Sequence, residues 1–148
     1  MKIKTNGERS ECVEKSVANG MPEAYAVGKA WFYREEYDIT PDVLIPRPDT
    51  ERAVEKLCAL LPRGGHFADL CSGSGCIGIS CLCERGDAKC DAFDICPAAV
   101  GLALHNAEKN GVADRYSCAV SDVFSLDDAG WDIIVSNPPY IPSTVIPT

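Results

Sequence analysis

The chain has 148 residues, 46% of them hydrophobic and 24% charged, and its 14 Lys+Arg against 22 Asp+Glu give a formal net charge of −8. That is ordinary globular composition with enough apolar mass for one core, which excludes a disordered chain. The acid excess and the absence of any Lys/Arg-rich run argue against a protein that tracks nucleic-acid phosphates, and no apolar run approaches the roughly 18 residues of a membrane span.

The opening MKIKTNGERSEC lacks the apolar stretch of a signal peptide, so the expected location is the cytoplasm. Residues 8–20 read as a short helix stopped by Gly20, and residues 1–20 are treated as an N-terminal helical segment. AWFYREEYDIT has two aromatic-rich runs about a charged centre and predicts a β-hairpin. PDVLIPRPDT then reads as an extended, proline-stiffened connector, which closes a second part, residues 21–48. Asp49 or Thr50 is expected to cap a helix over TERAVEKLCALL, with Val54, Leu57, Leu60 and Leu61 on its core face.

From there the period changes. HFADLC is a short apolar strand followed by the Gly-rich SGSG, and GCIGISCLCER is a helix apolar nearly all round, hence buried. KCDAFD is a second strand. Pro97 opens a helix over AAVGLALHNAEKN that Gly111 closes. RYSCAVSD and WDIIVSN are the third and fourth strands, the last almost continuously apolar, as for a parallel strand covered on both faces. VFSLDDAG between them is too short for a long helix. This alternation predicts an α/β core over residues 49–148, an open, doubly wound, mostly parallel sheet.

Nine cysteines (Cys12, Cys58, Cys71, Cys76, Cys81, Cys83, Cys90, Cys96 and Cys118) are the compositional oddity. The count is odd, no C-x-x-C occurs, and there are two histidines, His66 and His105. A zinc site wants paired ligands at short spacing. The cysteines read instead as free thiols that pack as small hydrophobes, and no metal site is expected.

In open α/β sheets the ligand sits at the carboxyl ends of the strands, where strand order reverses. The polar punctuation gathers at those ends: Asp69 with the loop Cys71-Ser72-Gly73-Ser74-Gly75, then Asp94, Asp122 and Asn137-Pro138-Pro139-Tyr140. Gly73-Ser-Gly75-Cys-Ile-Gly78 fits G-x-G-x-x-G with Asp94 about 20 residues on, the pattern of a dinucleotide site. Asp69, however, stands four residues before Gly73, and a carboxylate so close disfavours a pyrophosphate. S-adenosylmethionine (AdoMet) carries a sulfonium and an ammonium instead, so D-x-x-x-G-x-G prefers AdoMet to NAD. Asp94 can then accept from the ribose hydroxyls and Asp122 from the adenine amine.

Asn137-Pro138-Pro139-Tyr140 is the most specific signal. Two prolines fix the backbone and hold the preceding residues extended. A planar NH2 group is a poor nucleophile because its lone pair is delocalised. The Asn137 side-chain oxygen and the Pro138 carbonyl can both accept from such a group and aim its nitrogen at a methyl donor, while Tyr140 stacks on its flat face. No base is needed before attack, since the proton leaves after the nitrogen has become cationic.

DLCSGSGCIGIS, DAFDI, SDVF and NPPYIP together resemble the class I AdoMet-dependent methyltransferases that act on planar nitrogen. The upstream block, with PRPDTE, is similar to the protein-(glutamine-N(5)) methyltransferases of peptide-chain release factors. The resemblance runs from about residue 20 to 146. It implies a Rossmann-like methyltransferase sheet and a role in translation termination. Cys71, Ser72, Gly73, Ser74 and Gly75 would line the AdoMet loop, with Cys71 where many members have Gly. Asp69 would belong to the cofactor site, as would Asp94 on the ribose with the adjoining Ile95. Asp122 and Val123 would flank the adenine, and Asn137 to Tyr140 would hold the substrate glutamine amide. Members of that family continue on both sides, so the chain is expected to be roughly the middle half of such an enzyme. Its WDIIVSN strand would then be an open edge that favours self-association. Two other functions are weighed: a DNA or RNA amino-group methyltransferase, against which stand the net charge and PRPDTE, and a non-catalytic AdoMet-binding chain.

Overall fold

The computed structural model of the chain describes residues 6–127 and 129–139. Tyr140 and the segment 141–148, which the sequence reads as a poor strand, lie outside them. Helix α1 (Asn6–Ala18) leads through Gly20, at φ 91°, to a short helix α2 (Glu23–Val27). Sequence reasoning assigns no element to α2. Its signals are Pro22 at the N-cap and Gly28 in the left-handed conformation at the C-cap, where the Gly28 N–H bonds to the Ala24 carbonyl at 2.8 Å.

The expected hairpin is formed by β1 (Lys29–Phe32) and β2 (Glu35–Asp38), paired antiparallel with Trp31 opposite Glu36. The connector ends in a 3-10 turn, Pro48–Thr50, which runs directly into α3 (Glu51–Leu60). Neither expected cap works as one. Thr50 has helical dihedrals (φ −71°, ψ −17°) and makes no capping hydrogen bond, because the turn has already begun at Pro48. The expected core face of α3 also needs one correction. Val54, Leu57 and Leu61 are buried, whereas Leu60 is 72% exposed. At 100° per residue Leu60 falls about 90° from the mean direction of the other three.

The parallel sheet has the order β5-β4-β3-β6, with β3 (His66–Leu70), β4 (Lys89–Asp94), β5 (Tyr116–Val120) and β6 (Ile133–Ser136). The chain winds outward from β3 to β5, then returns to add β6 on the other side of β3, so strand order reverses between β3 and β6. The crossovers are α4 (Cys76–Glu84), α5 (Pro97–Lys109) and, between β5 and β6, one 3-10 turn, Val123–Ser125. Residues 77–82 of α4 are all buried, as its uniform apolarity requires. A Cβ added at Gly78 would meet the Cys90 Sγ at 2.9 Å, so that glycine lets α4 lie close on β4. The apolar run of β6 predicts cover on both faces. Among the described residues, however, β6 pairs with β3 alone, and its Ile134 is 58% exposed.

A single apolar cluster runs from Phe32, Tyr37, Ile39 and Val43 of the hairpin and connector into Phe67, Ile77, Ile79 and Leu82 of the sheet layer. The hairpin is thus welded to the sheet, and polar bonds reinforce the weld. The buried Tyr37 hydroxyl donates to the Cys76 carbonyl at 3.2 Å and shares a 2.6 Å bond with Ser80 Oγ. The fully buried Asn106 on α5 accepts from the Asp38 N–H at 2.8 Å. Its amide donates to the carbonyls of Asp38 and Ser74, both at 2.9 Å. Asn106 therefore ties β2 to the glycine loop. All nine cysteines are free thiols, and the sulfurs of Cys58 and Cys81 lie in contact at 3.7 Å.

Candidate functional site

The loop after β3 reverses tightly. Cys71 has φ 57°, Gly73 φ 54° and Gly75 φ 85°, with Gly75 serving as the N-cap of α4. Positive φ is inexpensive for glycine and strained for Cys71. A Cβ on Gly75 would lie 2.8 Å from Ile79 Cδ1 and 2.9 Å from the Tyr116 hydroxyl, so only glycine fits there. Asp94 holds the loop from the neighbouring strand. One of its oxygens accepts from the Gly73 N–H at 2.9 Å and the other from the Cys96 N–H at 3.0 Å.

A cleft of about 560 Å3 opens at these carboxyl ends, within the range of small-molecule sites. Asp94, Asp122 and Asn137, the ends of β4, β5 and β6, reach it together with Cys71 and Gly73. Ile95, Val123 and Leu44 supply apolar wall, and Pro139 also borders it. A smaller cavity of about 50 Å3 shares Cys71, Gly73 and Asn137 with the cleft as lining and is walled also by Ser72, Ser74, Arg47 and Thr50. Asp122 spends one oxygen on the Phe124 N–H at 3.1 Å, which closes the 3-10 turn. Ile95 and Val123 are exposed, at 72% and 44%. Asn137 is half-buried and Pro138 exposed.

Asp69 is not where sequence reasoning puts it. It is 1% exposed beneath the loop and lines neither cavity. One oxygen accepts from the Gly78 N–H at 3.2 Å, and the other has no hydrogen-bond partner among the described residues. Burial pushes its carboxyl up to about 7, with the nearby Asp94 adding to the rise. Its bond to the Gly78 N–H seats the start of α4. Gly75 likewise shapes the loop from behind.

Sequence reasoning missed the wall opposite the loop. Asp42, Val43 and Leu44 of the connector border the cleft. Val43 lies 4.0 Å from the position of a Cβ on Gly73, and its carbonyl accepts from the Tyr25 hydroxyl at 2.6 Å. The α2 helix thus braces the connector against the loop. The signal was the stiff PDVLIPRP run, whose prolines hold a path without naming its neighbour.

A doubly wound parallel sheet with an acid-lined, part-apolar cleft at its switch point defines a Rossmann-like α/β protein. Residues 32–145 match the model of the methyltransferase small domain, and the chain belongs to that family. It is 41% identical over 137 residues to a release factor glutamine methyltransferase of Neisseria gonorrhoeae, covering 90% of this chain and 50% of that protein. It is 43% identical over 126 residues to one of Rhodospirillum rubrum, covering 84% and 39%. The chain therefore spans about half the length of the curated relatives it matches. Among solved structures, an RNA methyltransferase from Salinibacter ruber in complex with S-adenosyl-L-homocysteine superposes with a TM-score of 0.55 at 29% identity. That match covers 64% of this chain and 60% of the other. Among the described residues no helix is long and apolar enough to cross a membrane, and no group of His, Cys, Asp or Glu could hold a metal ion.

Proposed function

We propose that the cleft binds AdoMet and that the chain forms the catalytic core of an enzyme that methylates the side-chain amide nitrogen of a glutamine in a peptide-chain release factor, in the cytoplasm. The observation that carries this is the convergence of Asp94, Asp122 and Asn137 from three strand ends on one cleft beside the glycine loop. The residues fit the cofactor. Asp94 keeps accepting capacity beyond its two backbone bonds and suits ribose hydroxyls, because a carboxylate offers about four lone-pair sites. Ile95, Val123 and Leu44 give the adenine an apolar wall. The names of the curated relatives support the substrate.

The bound cofactor supplies an electrophilic methyl group. Asn137 and Pro138 would accept from the two hydrogens of the substrate amide and orient its nitrogen toward the methyl group that the cofactor would supply. The amide proton would then leave to water once the nitrogen carries that methyl. Alignment of this kind can supply roughly 7–11 kcal/mol of barrier reduction, which suits a cleft whose walls, among the described residues, offer acids and no lysine or histidine.

The test is transfer of labelled methyl to a release factor, with a DNA duplex and a glutamine-to-alanine release factor as controls. Label confined to the intact release factor is expected. Label on DNA would favour an amino-group methyltransferase of nucleic acid. Asn137→Ala should lower transfer by roughly 100-fold or more, the scale of an oriented donor–acceptor contact, while S-adenosylhomocysteine binding changes only a few-fold. Equal loss of both would remove the amide-holding role.

A further inference from the structure

Among the described residues, one pair of the chain's free thiols is in contact. The Sγ atoms of Cys58 on α3 and Cys81 on α4 lie 3.7 Å apart, where the two helices pack on each other. Arg85 holds both residues in that register. Its guanidinium donates to the Cys58 carbonyl at 2.7 Å and to the Leu61 carbonyl at 2.9 Å. Its backbone N–H bonds to the Cys81 carbonyl at 2.8 Å. Asp87 pairs with the same guanidinium at 3.0 Å and keeps it in place. One residue thus clamps the ends of α3 and α4 with the two sulfurs facing. The thiols differ in access: Cys58 is half-buried, and Cys81 is 0% exposed.

We propose that Cys58 and Cys81 form a reversible redox site, which a hydroperoxide oxidises to a disulfide joining α3 to α4. A disulfide places its sulfurs about 2.05 Å apart, so the 3.7 Å contact has to shorten by roughly 1.7 Å, a distance that side-chain rotation covers. The accessible Cys58 reacts first. Its thiol gives up a proton to water, and the thiolate bonds to the outer oxygen of the peroxide as the O–O bond breaks. That leaves a sulfenic acid and an alkoxide, which takes up a proton. The Cys81 sulfur then bonds to the Cys58 sulfur as the S–OH bond breaks, and the hydroxide leaves with the Cys81 proton as water. Two thiols are oxidised, and one peroxide is reduced to an alcohol and water. Burial pushes the Cys58 thiol up, with Glu84 adding to the rise and Arg85 opposing it, so the reaction is slow beside that of an activated thiol. The bond closes a loop that carries β3 and the whole glycine turn, and it stabilises mainly by limiting the unfolded chain. In a reducing compartment such a bond is transient, which makes it a switchable link.

The test treats the folded protein with hydrogen peroxide, alkylates it in denaturant with N-ethylmaleimide, and locates the cysteines by mass spectrometry of tryptic peptides. A background carrying Cys12→Ser and Cys83→Ser removes the two exposed thiols. The expected product is a monomer lighter by about 2 Da, with two fewer alkylated thiols and a link between Cys58 and Cys81. Its melting temperature should rise by roughly 5 °C or more, and dithiothreitol should restore every thiol. Cys58→Ser and Cys81→Ala should each abolish the link, and Cys81→Ala should leave Cys58 as a sulfenic acid that dimedone traps. Melting of the reduced variants checks the fold, and Cys58→Ser, at the half-buried position, decides the matter if Cys81→Ala does not fold. Full alkylation after a peroxide dose that oxidises free glutathione overturns the proposal. So does a link that survives Cys58→Ser, joins other cysteines or joins two chains, and so does a Cys58 sulfinic acid beside an unreacted Cys81 thiol.

Discussion

The ends of β3 and β6 lie side by side in the sheet and are held in very different ways. The β3 end is over-determined. Its loop is gripped by Asp94, seated on Asp69 and Gly78, backed by Ile79 and Tyr116, and tied to the hairpin through Asn106. The β6 end has one strand neighbour among the described residues, and the Ser136 hydroxyl donating to the Leu70 carbonyl at 3.2 Å is its side-chain anchor. The glycine loop and its acids are thus fixed before any ligand arrives, as preorganised binding requires. The Asn137 end is positioned mainly through Phe67–Leu70 of β3. Damage to β3 or its loop should reach both halves of the site, whereas damage to β6 should reach only the acceptor half.

The largest effect that would sharpen this contrast is at Gly75. Ala there must adopt φ near 85° and drive its methyl into Ile79 and the Tyr116 hydroxyl. Overpacking plus left-handed strain should cost about 2–4 kcal/mol in urea unfolding. A loss below about 0.5 kcal/mol would mean that the loop is loose. Asn106→Ala comes next. It removes three side-chain bonds, one buried and two part-buried, to the Ser74 carbonyl and to the Asp38 N–H and carbonyl, at a cost of about 2–3 kcal/mol. It should also weaken S-adenosylhomocysteine, because the loop loses its tie to the hairpin. Unchanged binding at reduced stability would break that coupling.

A smaller, pH-dependent effect belongs to Asp69. Its folded carboxyl is raised from 3.8 to about 7 by burial, so the folded chain keeps a proton that the unfolded chain releases. This favours folding fully below pH ~4 and is lost as pH rises through about 7. Asp69→Asn keeps an acceptor for the Gly78 N–H and removes the titration. The difference in unfolding free energy between variant and wild type should therefore shift in the variant's favour between pH 4 and 7. A difference that stays flat over that range would put the charged carboxylate in contact with water.

Most of the sheet was legible because its signals are local. Strand and helix periods alternate, and Gly64–Gly65, Gly73–Gly75, Pro97 and Gly111 punctuate them. Asp94, Asp122 and Asn137, which border the cleft, could be picked out for the same reason, since each follows a strand end. What could not be read depends on partners distant in sequence. Nothing local distinguishes Asn106 from an exposed helical asparagine, yet it bonds 32 residues back to Ser74 and 68 back to Asp38. Asp69 stands at the expected strand end but on the other side of the loop, because alternation along a strand buried on both faces gives no sign of which side chain meets the helix. Leu60 lies at the edge of the apolar arc of α3, where the angle alone does not decide burial.

The central claim is that the cleft at the β3–β6 switch point holds the nucleoside of AdoMet through Asp94. Calorimetric titration of S-adenosylhomocysteine into wild type and Asp94→Ala tests it directly. One equivalent should bind to wild type, and the variant should bind at least tenfold more weakly, the scale of lost hydrogen bonds to a charged acceptor. Equal affinities, with both proteins folded, would put the nucleoside elsewhere and contradict the account.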